Sequence, residues 1–156
     1  MTPSPRERIA TVQAAYIRCI SNDRLEDWPA FFTEHCHYIV TTAQNLREGL
    51  PAGLIWADSR AMLEDRVAAL RKANIYERQA YRHLIGQPFV TAESAETASA
   101  ETPFMVARIM QDGSTDLFCT GVYLDEFDLT APQGLIRSRR VVCDSNRIDT
   151  LLAIPL

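Results

Sequence analysis

The stretch Thr102-Pro103-Phe104-Met105-Val106-Ala107-Arg108-Ile109-Met110, followed beyond Asp112-Gly113 by Asp116-Leu117-Phe118-Cys119-Thr120-Gly121-Val122-Tyr123-Leu124-Asp125-Glu126-Phe127, decides the fold. Both runs read as strands, rich in aromatic and β-branched residues, and Asp112-Gly113 between them is a strong hairpin signal. Two further strand candidates flank the pair, Tyr81 to Val90 before it and Gly134 to Cys143 after it. Pro132 and Gly134 mark the turn into the last one. The stretch Thr91 to Glu101, built of Ala, Ser, Thr and Glu, reads as a solvated loop or strand end. The second half of the chain is thus an antiparallel run of strands.

Towards the start of the chain the pattern changes to helices. Ser4 can cap a helix, Pro5 suits its first turn, and Glu7 stands three residues beyond the cap, which together form a capping box. Ile9, Val12, Tyr16 and Ile20 recur at helical spacing, with Ile17 beside them and Gln13 as a polar interruption, so the helix runs from about residue 5 to 20. Asn22 and Asp23 break it. Asp23 with Glu26 repeats the capping logic for a short helix from Arg24 to about Phe32, which Pro29 shortens or kinks. His37 to Thr42 reads as the first strand, and from Ala43 to Pro51 no pattern holds. A third helix, Ser59 to about Ala73, places Leu63, Val67 and Leu70 on one face, with Glu64 and Asp65 ahead of Arg71 and Lys72 as the helix dipole favours. Helices first and strands later is an α+β order. A curved antiparallel sheet wrapped around the N-terminal helices is its economical packing, and 156 residues suffice for one domain over 1–156.

Composition narrows the function classes. The hydrophobic fraction of 47% and charged fraction of 23% are ordinary for a globular chain, and no apolar run reaches the roughly 20 residues of a membrane span. A net charge of −4 offers no general attraction to nucleic acid or anionic lipid. Arg6, Glu7 and Arg8 near the start do not suit a secretory leader, so a cytoplasmic location is expected. Cys19, Cys36, Cys119 and Cys143 are dispersed, without a Cys-x-x-Cys pair, as reduced buried thiols would be.

Few residues suggest chemistry. His35, Cys36 and His37 are consecutive metal-capable side chains, and the two histidines share a strand face, yet His83 is the only other histidine and a closed metal site needs more ligands. A Rieske cluster needs paired Cys and His motifs, and a mononuclear iron needs two histidines and a carboxylate on one face; neither pattern is present. Phosphate-loop, nucleophile-elbow and His-Glu-x-x-His motifs are missing as well. Tyr16, Asp58, Arg82 and His83 are the candidates for acid/base work in a pocket between helices and sheet. The plainer alternative makes Asp58 a helix cap, and Arg82 with His83 a strand face or subunit contact. Trp28, Phe31, Phe32 and Tyr38 read as core. Trp56 is a loop anchor or an interface residue. The run Ile148 to Leu156 is apolar and must be covered, either by the chain's own sheet or by a neighbouring subunit.

Taken in order, several stretches resemble the small subunits of aromatic-ring-hydroxylating dioxygenases. They are Asp27-Trp28-Pro29 with Phe31-Phe32 and Cys36-His37-Tyr38; Gly53 with Trp56-Ala57-Asp58-Ser59; Asn74 to Arg78 with Tyr81-Arg82-His83; Thr102 to Val106; Gly121 with Tyr123-Leu124-Asp125; Arg140 with Val142 to Ser145; and Ala153 to Leu156. The resemblance implies a cone-shaped, nuclear-transport-factor-like α+β fold. It further implies a large-subunit partner carrying the Rieske iron-sulfur cluster and the mononuclear iron, in an assembly of three large and three small chains fed by a reductase. It assigns no catalytic, cofactor-binding or metal-ligating residue to this chain. Trp56, Tyr76, Tyr81, Arg82, Ile154 and Leu156 are the expected contact residues. The competing readings are a stand-alone lyase or isomerase on the same cone, with His83 and Asp58 as its pair, and a binding or scaffolding module.

Overall fold

The computed structural model describes residues 1–50, 53–73, 79–147 and 154–156. Helix α1 spans Pro5–Ser21 and opens on the expected box: Ser4 Oγ accepts from the Glu7 N–H, and the Glu7 carboxylate accepts from the Ser4 N–H at 2.7 Å. Its buried face is Ile9, Val12, Gln13, Tyr16, Cys19 and Ile20. Beyond it the chain turns through Asp23, whose φ of 57° lies in the left-handed region that a short polar side chain tolerates. The short second helix is a 3₁₀ helix, Leu25–Phe31, containing Pro29. A proline inside so short a segment costs an α-type hydrogen bond, and the tighter winding accommodates it.

Strand β1 covers Phe32–Thr42, starting five residues before the His37 expected. The segment that showed no pattern holds a single-turn helix, α2 (Ala43–Arg47), capped by Thr42 Oγ1 accepting from the Asn45 N–H, and beyond that segment lies a short strand, β2 (Ile55–Ala57). Gly53 lies so close to β1 that a Cβ there would stand 2.7 Å from the Val40 carbonyl oxygen. Helix α3 (Arg60–Ala73) is capped by Ser59, whose Oγ accepts from the Met62 N–H.

The strand expected over Tyr81 to Val90 is two strands, β3 (Gln79–Ile85) and β4 (Phe89–Glu93), interrupted at Gly86 and Pro88. The stretch 91–101, expected as a solvated loop or strand end, holds the end of β4 and the start of β5, which runs Thr97–Met110 and pairs with β4 from Phe89↔Glu101 to Glu93↔Ala98. Its alanines hid it, because Ala has little strand preference but packs where a sheet closes tightly. Ala98 and Ala100 are both buried. Strands β6 (Thr115–Asp128) and β7 (Leu135–Cys143) follow.

The sheet has the order β2-β1-β7-β6-β5-β3, with β4 pairing β5. One pairing departs from the antiparallel expectation: β1 lies parallel to β7, from Phe32↔Ile136 to Thr42↔Cys143. The sheet is therefore mixed, because the strand that enters between the helices is joined by the last strand and not by a hairpin partner. Register shifts between Val106 and Ala107 and between Glu126 and Phe127 bend it. The result is the expected α+β cone, helices packed on an open curved sheet. Under the helices, Trp28, Phe32 and Tyr38 meet edge to face with ring centres 5.2 to 5.8 Å apart, all fully buried. Such pairs add about 0.5–1.5 kcal/mol each beyond their burial.

Candidate functional site

The most concentrated chemistry in the chain lies inside the cone. Asp125 of β6 stands directly opposite Arg139 of β7. The guanidinium donates to both carboxylate oxygens, Nε to Oδ1 and Nη2 to Oδ2, each at 2.8 Å, and neither side chain has any exposed surface. The guanidinium plane is flanked by two rings, Tyr123 at 4.0 Å and Tyr16 at 4.4 Å. Gln13 of α1 completes the group, its Nε2 donating to Thr102 Oγ1 at 3.0 Å and to Asp125 Oδ2 at 3.4 Å. Burial pushes the Asp125 carboxyl upward, and the adjoining guanidinium opposes that push. Residues of four elements, α1, β5, β6 and β7, thus converge on one desolvated ion pair.

Gly121 prepares this geometry. A Cβ at that position would lie 2.1 Å from the Val142 carbonyl oxygen and 2.9 Å from the Phe104 ring. Phe104 can then stack flat on Tyr123, ring centres 4.4 Å apart, and Tyr123 in turn covers Arg139. The Gly121-to-Asp125 spacing therefore has a physical meaning: close strand approach at one end and the buried carboxylate at the other.

The acid/base candidates are not brought together. His83 is buried, and its imidazole is pushed down to about 4, first by burial and then by the positive charge of Arg139. Asp58 is exposed, and Arg82 points to the opposite, exposed face of β3. Tyr16 is committed: its hydroxyl donates to the main-chain oxygen of Leu156 at 2.8 Å. Tyr38 donates to the same oxygen at 3.0 Å and accepts from the Leu156 N–H at 3.2 Å. The space between helices and sheet is thus occupied by the chain itself, and the pairing of His83 with Asp58 that a stand-alone lyase or isomerase requires is not present.

Nor does β1 assemble a metal site. His35 and His37 are exposed while Cys36 between them faces the core, as strand alternation dictates. Among the described residues no group of three or more His, Cys, Asp or Glu is placed to hold a metal ion. The four cysteines are free and buried, as their spacing suggested. Cys19 donates to the Arg24 carbonyl oxygen at 2.9 Å, and burial pushes its thiol up to about 11.

Of the expected contact residues, Trp56 is 52% exposed on β2, at the sheet edge, and Arg82 is exposed as well. Tyr81 is buried and stacks on Phe118 with ring centres 5.2 Å apart. Ile154 and Leu156 are buried in the chain's own core, so that the described end of the apolar run, 154–156, is covered from inside. Tyr76 lies outside the described residues.

A family model, the ring hydroxylating beta subunit, matches residues 17–150. The chain belongs to that family. It is 52% identical over 149 residues to the beta 2 subunit of the terminal oxygenase component of terephthalate 1,2-dioxygenase from a Comamonas species, covering 96% of this chain and 97% of that one. It is 38% identical to the anthranilate 1,2-dioxygenase small subunit of Burkholderia cepacia, over 95% of this chain and 92% of the relative. Among solved structures, a protein assigned as the beta subunit of an aromatic-ring-hydroxylating dioxygenase from Novosphingobium aromaticivorans superposes with a TM-score of 0.90 at 41% identity, covering 97% of this chain and 96% of that one. The family membership gives the interior of the cone its place: in this beta subunit the ion pair, the tyrosines, Ile154 and Leu156 form a filled core.

Arg139 is the member of this buried cluster that the sequence did not single out. Simple alternation from the inward Ile136 would send residue 139 outward. The register shift inserts Arg137 as an extra residue, since Phe127 pairs with Ile136 while Glu126 pairs with Ser138, and the phase flips so that Arg139 points in. Flanked by Arg137, Ser138 and Arg140, it carries no local mark that sets it apart from the outward arginines.

Proposed function

We propose that this chain is the structural small subunit of a Rieske-type oxygenase that cis-dihydroxylates an aromatic carboxylate, terephthalate first among them, with oxygen and electrons delivered by a reductase. The observation that carries the reading is the identity of 52% along nearly the whole of both chains with a terephthalate 1,2-dioxygenase beta subunit. Under this reading the whole chain, 1–156, acts as one domain in a cytoplasmic assembly of three large and three small subunits.

The iron-sulfur cluster and the mononuclear iron belong, in this proposal, to the large subunit. This chain's residues do not fit a Rieske centre, since Cys36 faces the core between the outward His35 and His37 of β1, and Cys19, Cys119 and Cys143 lie on α1, β6 and β7, which carry no histidine. What the chain contributes is a rigid, prefilled cone presenting fixed outer surfaces, with Trp56 and Arg82 as the contact residues its surface offers to a partner. Aromatic side chains and arginine are the types enriched at such interfaces.

Co-expression with a large subunit bearing paired Cys-x-His and Cys-x-x-His motifs tests it. The purified complex, supplied with reductase, is expected to dihydroxylate terephthalate ahead of other aromatic carboxylates, and the small chain alone is expected to turn over none. Turnover by the purified small chain, or its failure to co-purify with the large one, overturns the assignment. Activity on a different aromatic carboxylate only would retain the subunit and replace the substrate.

A further inference from the structure

On the outside of the cone a groove runs along α1, between that helix, the 3₁₀ helix and the β6–β7 connection. Its volume of about 570 Å³ falls within the range of roughly 300–1,000 Å³ typical of small-molecule sites. Val12, Ala15, Phe31 and Leu135 supply apolar walls. Phe31 is held in place from behind by the edge of the Tyr16 ring, centre to centre 5.7 Å, so the groove has a fixed aromatic wall.

The charges lining the groove are three arginines and one aspartate, two positive charges in excess within a chain whose net charge is −4. Two of the arginines are committed. Arg8 donates through Nη2 to the carbonyl oxygens of Leu129, Ala131 and Pro132 at 2.9, 2.6 and 3.3 Å. Arg24 is paired with Asp27 at 2.7 Å. Arg18, in the last turn of α1, makes no side-chain hydrogen bond or ion pair to the described residues and is exposed at the groove. An apolar, half-open cleft with one uncommitted guanidinium selects a ligand with an apolar planar body and a single anionic end, because a guanidinium binds a carboxylate through two parallel hydrogen bonds.

We propose that this groove is a binding site for an aromatic carboxylate, with Arg18 holding the carboxylate and Phe31, Val12 and Leu135 holding the ring. The site lies on the outer side of α1, and the proposal does not depend on the oxygenase assignment. It makes the small chain a place where an aromatic acid gathers or exerts an effect without being turned over.

Calorimetric titration of the full chain with benzoate, and with benzamide as its uncharged counterpart, tests the site. Benzoate is expected to bind saturably with one site per chain, and Arg18→Gln is expected to weaken it about tenfold, as loss of a charge-assisted hydrogen bond does. Benzamide should bind weakly and equally to both proteins. Ala15→Phe, which fills the exposed side of the groove, should abolish binding of both ligands while the far-ultraviolet circular dichroism stays unchanged. Absence of saturable benzoate binding, or equal benzoate affinity in wild type and Arg18→Gln, overturns the proposal. So does a result in which Arg18→Gln leaves benzoate binding intact but releases the large subunit from the complex, since the groove would then be a protein seat.

Discussion

Arg139 and Arg71 both hold acidic partners, and they differ in almost everything else. Arg139 grips Asp125 inside the cone, with both side chains at 0% exposure. Arg71, at the end of α3, grips Glu26 through Nε at 2.7 Å and Asp23 through Nη1 at 3.0 Å, and those acids are 62% and 72% exposed. Both sets are well formed. Water and salt weaken the outer one, whereas the inner one stands where no solvent can replace a lost partner. The outer cluster clips a turn; the inner pair dictates which residues must face inward on β6 and β7 and so fixes their register.

The comparison breaks most visibly at Arg139. Arg139→Met leaves the Asp125 carboxylate buried without its cation and should cost about 3–5 kcal/mol in urea denaturation. The double variant Arg139→Met with Asp125→Leu should recover much of that loss, because the penalty comes from the orphaned charge and not from the missing attraction. A double variant no more stable than the single one would mean that the arginine's packing between Tyr16 and Tyr123 dominates.

A smaller effect is expected from acid. His83 is held neutral, its pKa lowered from 6.5 to about 4 by burial and by Arg139, so the unfolded chain binds a proton that the folded chain refuses. Stability from this group is complete above pH 6.5 and falls as pH drops towards 4, by an amount on the order of 3 kcal/mol. His83→Leu should flatten the stability profile in that window, read by thermal unfolding at a series of pH values. A profile identical to wild type would remove His83 as its cause.

The least is expected outside. Arg71→Ala should cost no more than about 1 kcal/mol, and the cost should shrink in high salt. A loss comparable to that of Arg139→Met would show that the left-handed turn at Asp23, which Arg71 clips through the Asp23 carbonyl oxygen at 2.7 Å, matters to the whole fold.

These contrasts follow what the sequence could and could not disclose. The capping box at Ser4 and Glu7, the apolar stripe of α1 and the hairpin at Asp112-Gly113 are local signals, and each is realised. The strand half of 91–101 was hidden because alanines carry no local strand preference; β4 and β5 exist through pairing with one another. The parallel partnership of β1 and β7 is a property of the closed sheet, for which no neighbouring residues code. Arg139 was concealed by the inserted Arg137, a single-residue shift that alternation cannot anticipate. Resemblance reached the family because it weighs ordered matches along the whole chain, while periodicity weighs one element at a time.

The parallel seam also sets a timetable. Tyr38 of β1 pairs with Arg139 of β7, roughly one hundred positions later, and β1 separates the last strand from the short edge strand β2. On a ribosome making about 5–20 residues per second, the first strand waits several seconds for its neighbour to be synthesised. Until then β1, which carries Phe32 and Tyr38, lacks the strand that pairs it on that side. The nascent chain is consequently most vulnerable to self-association late in translation, and slower initiation or chaperone supply at that stage should raise the yield of folded subunit.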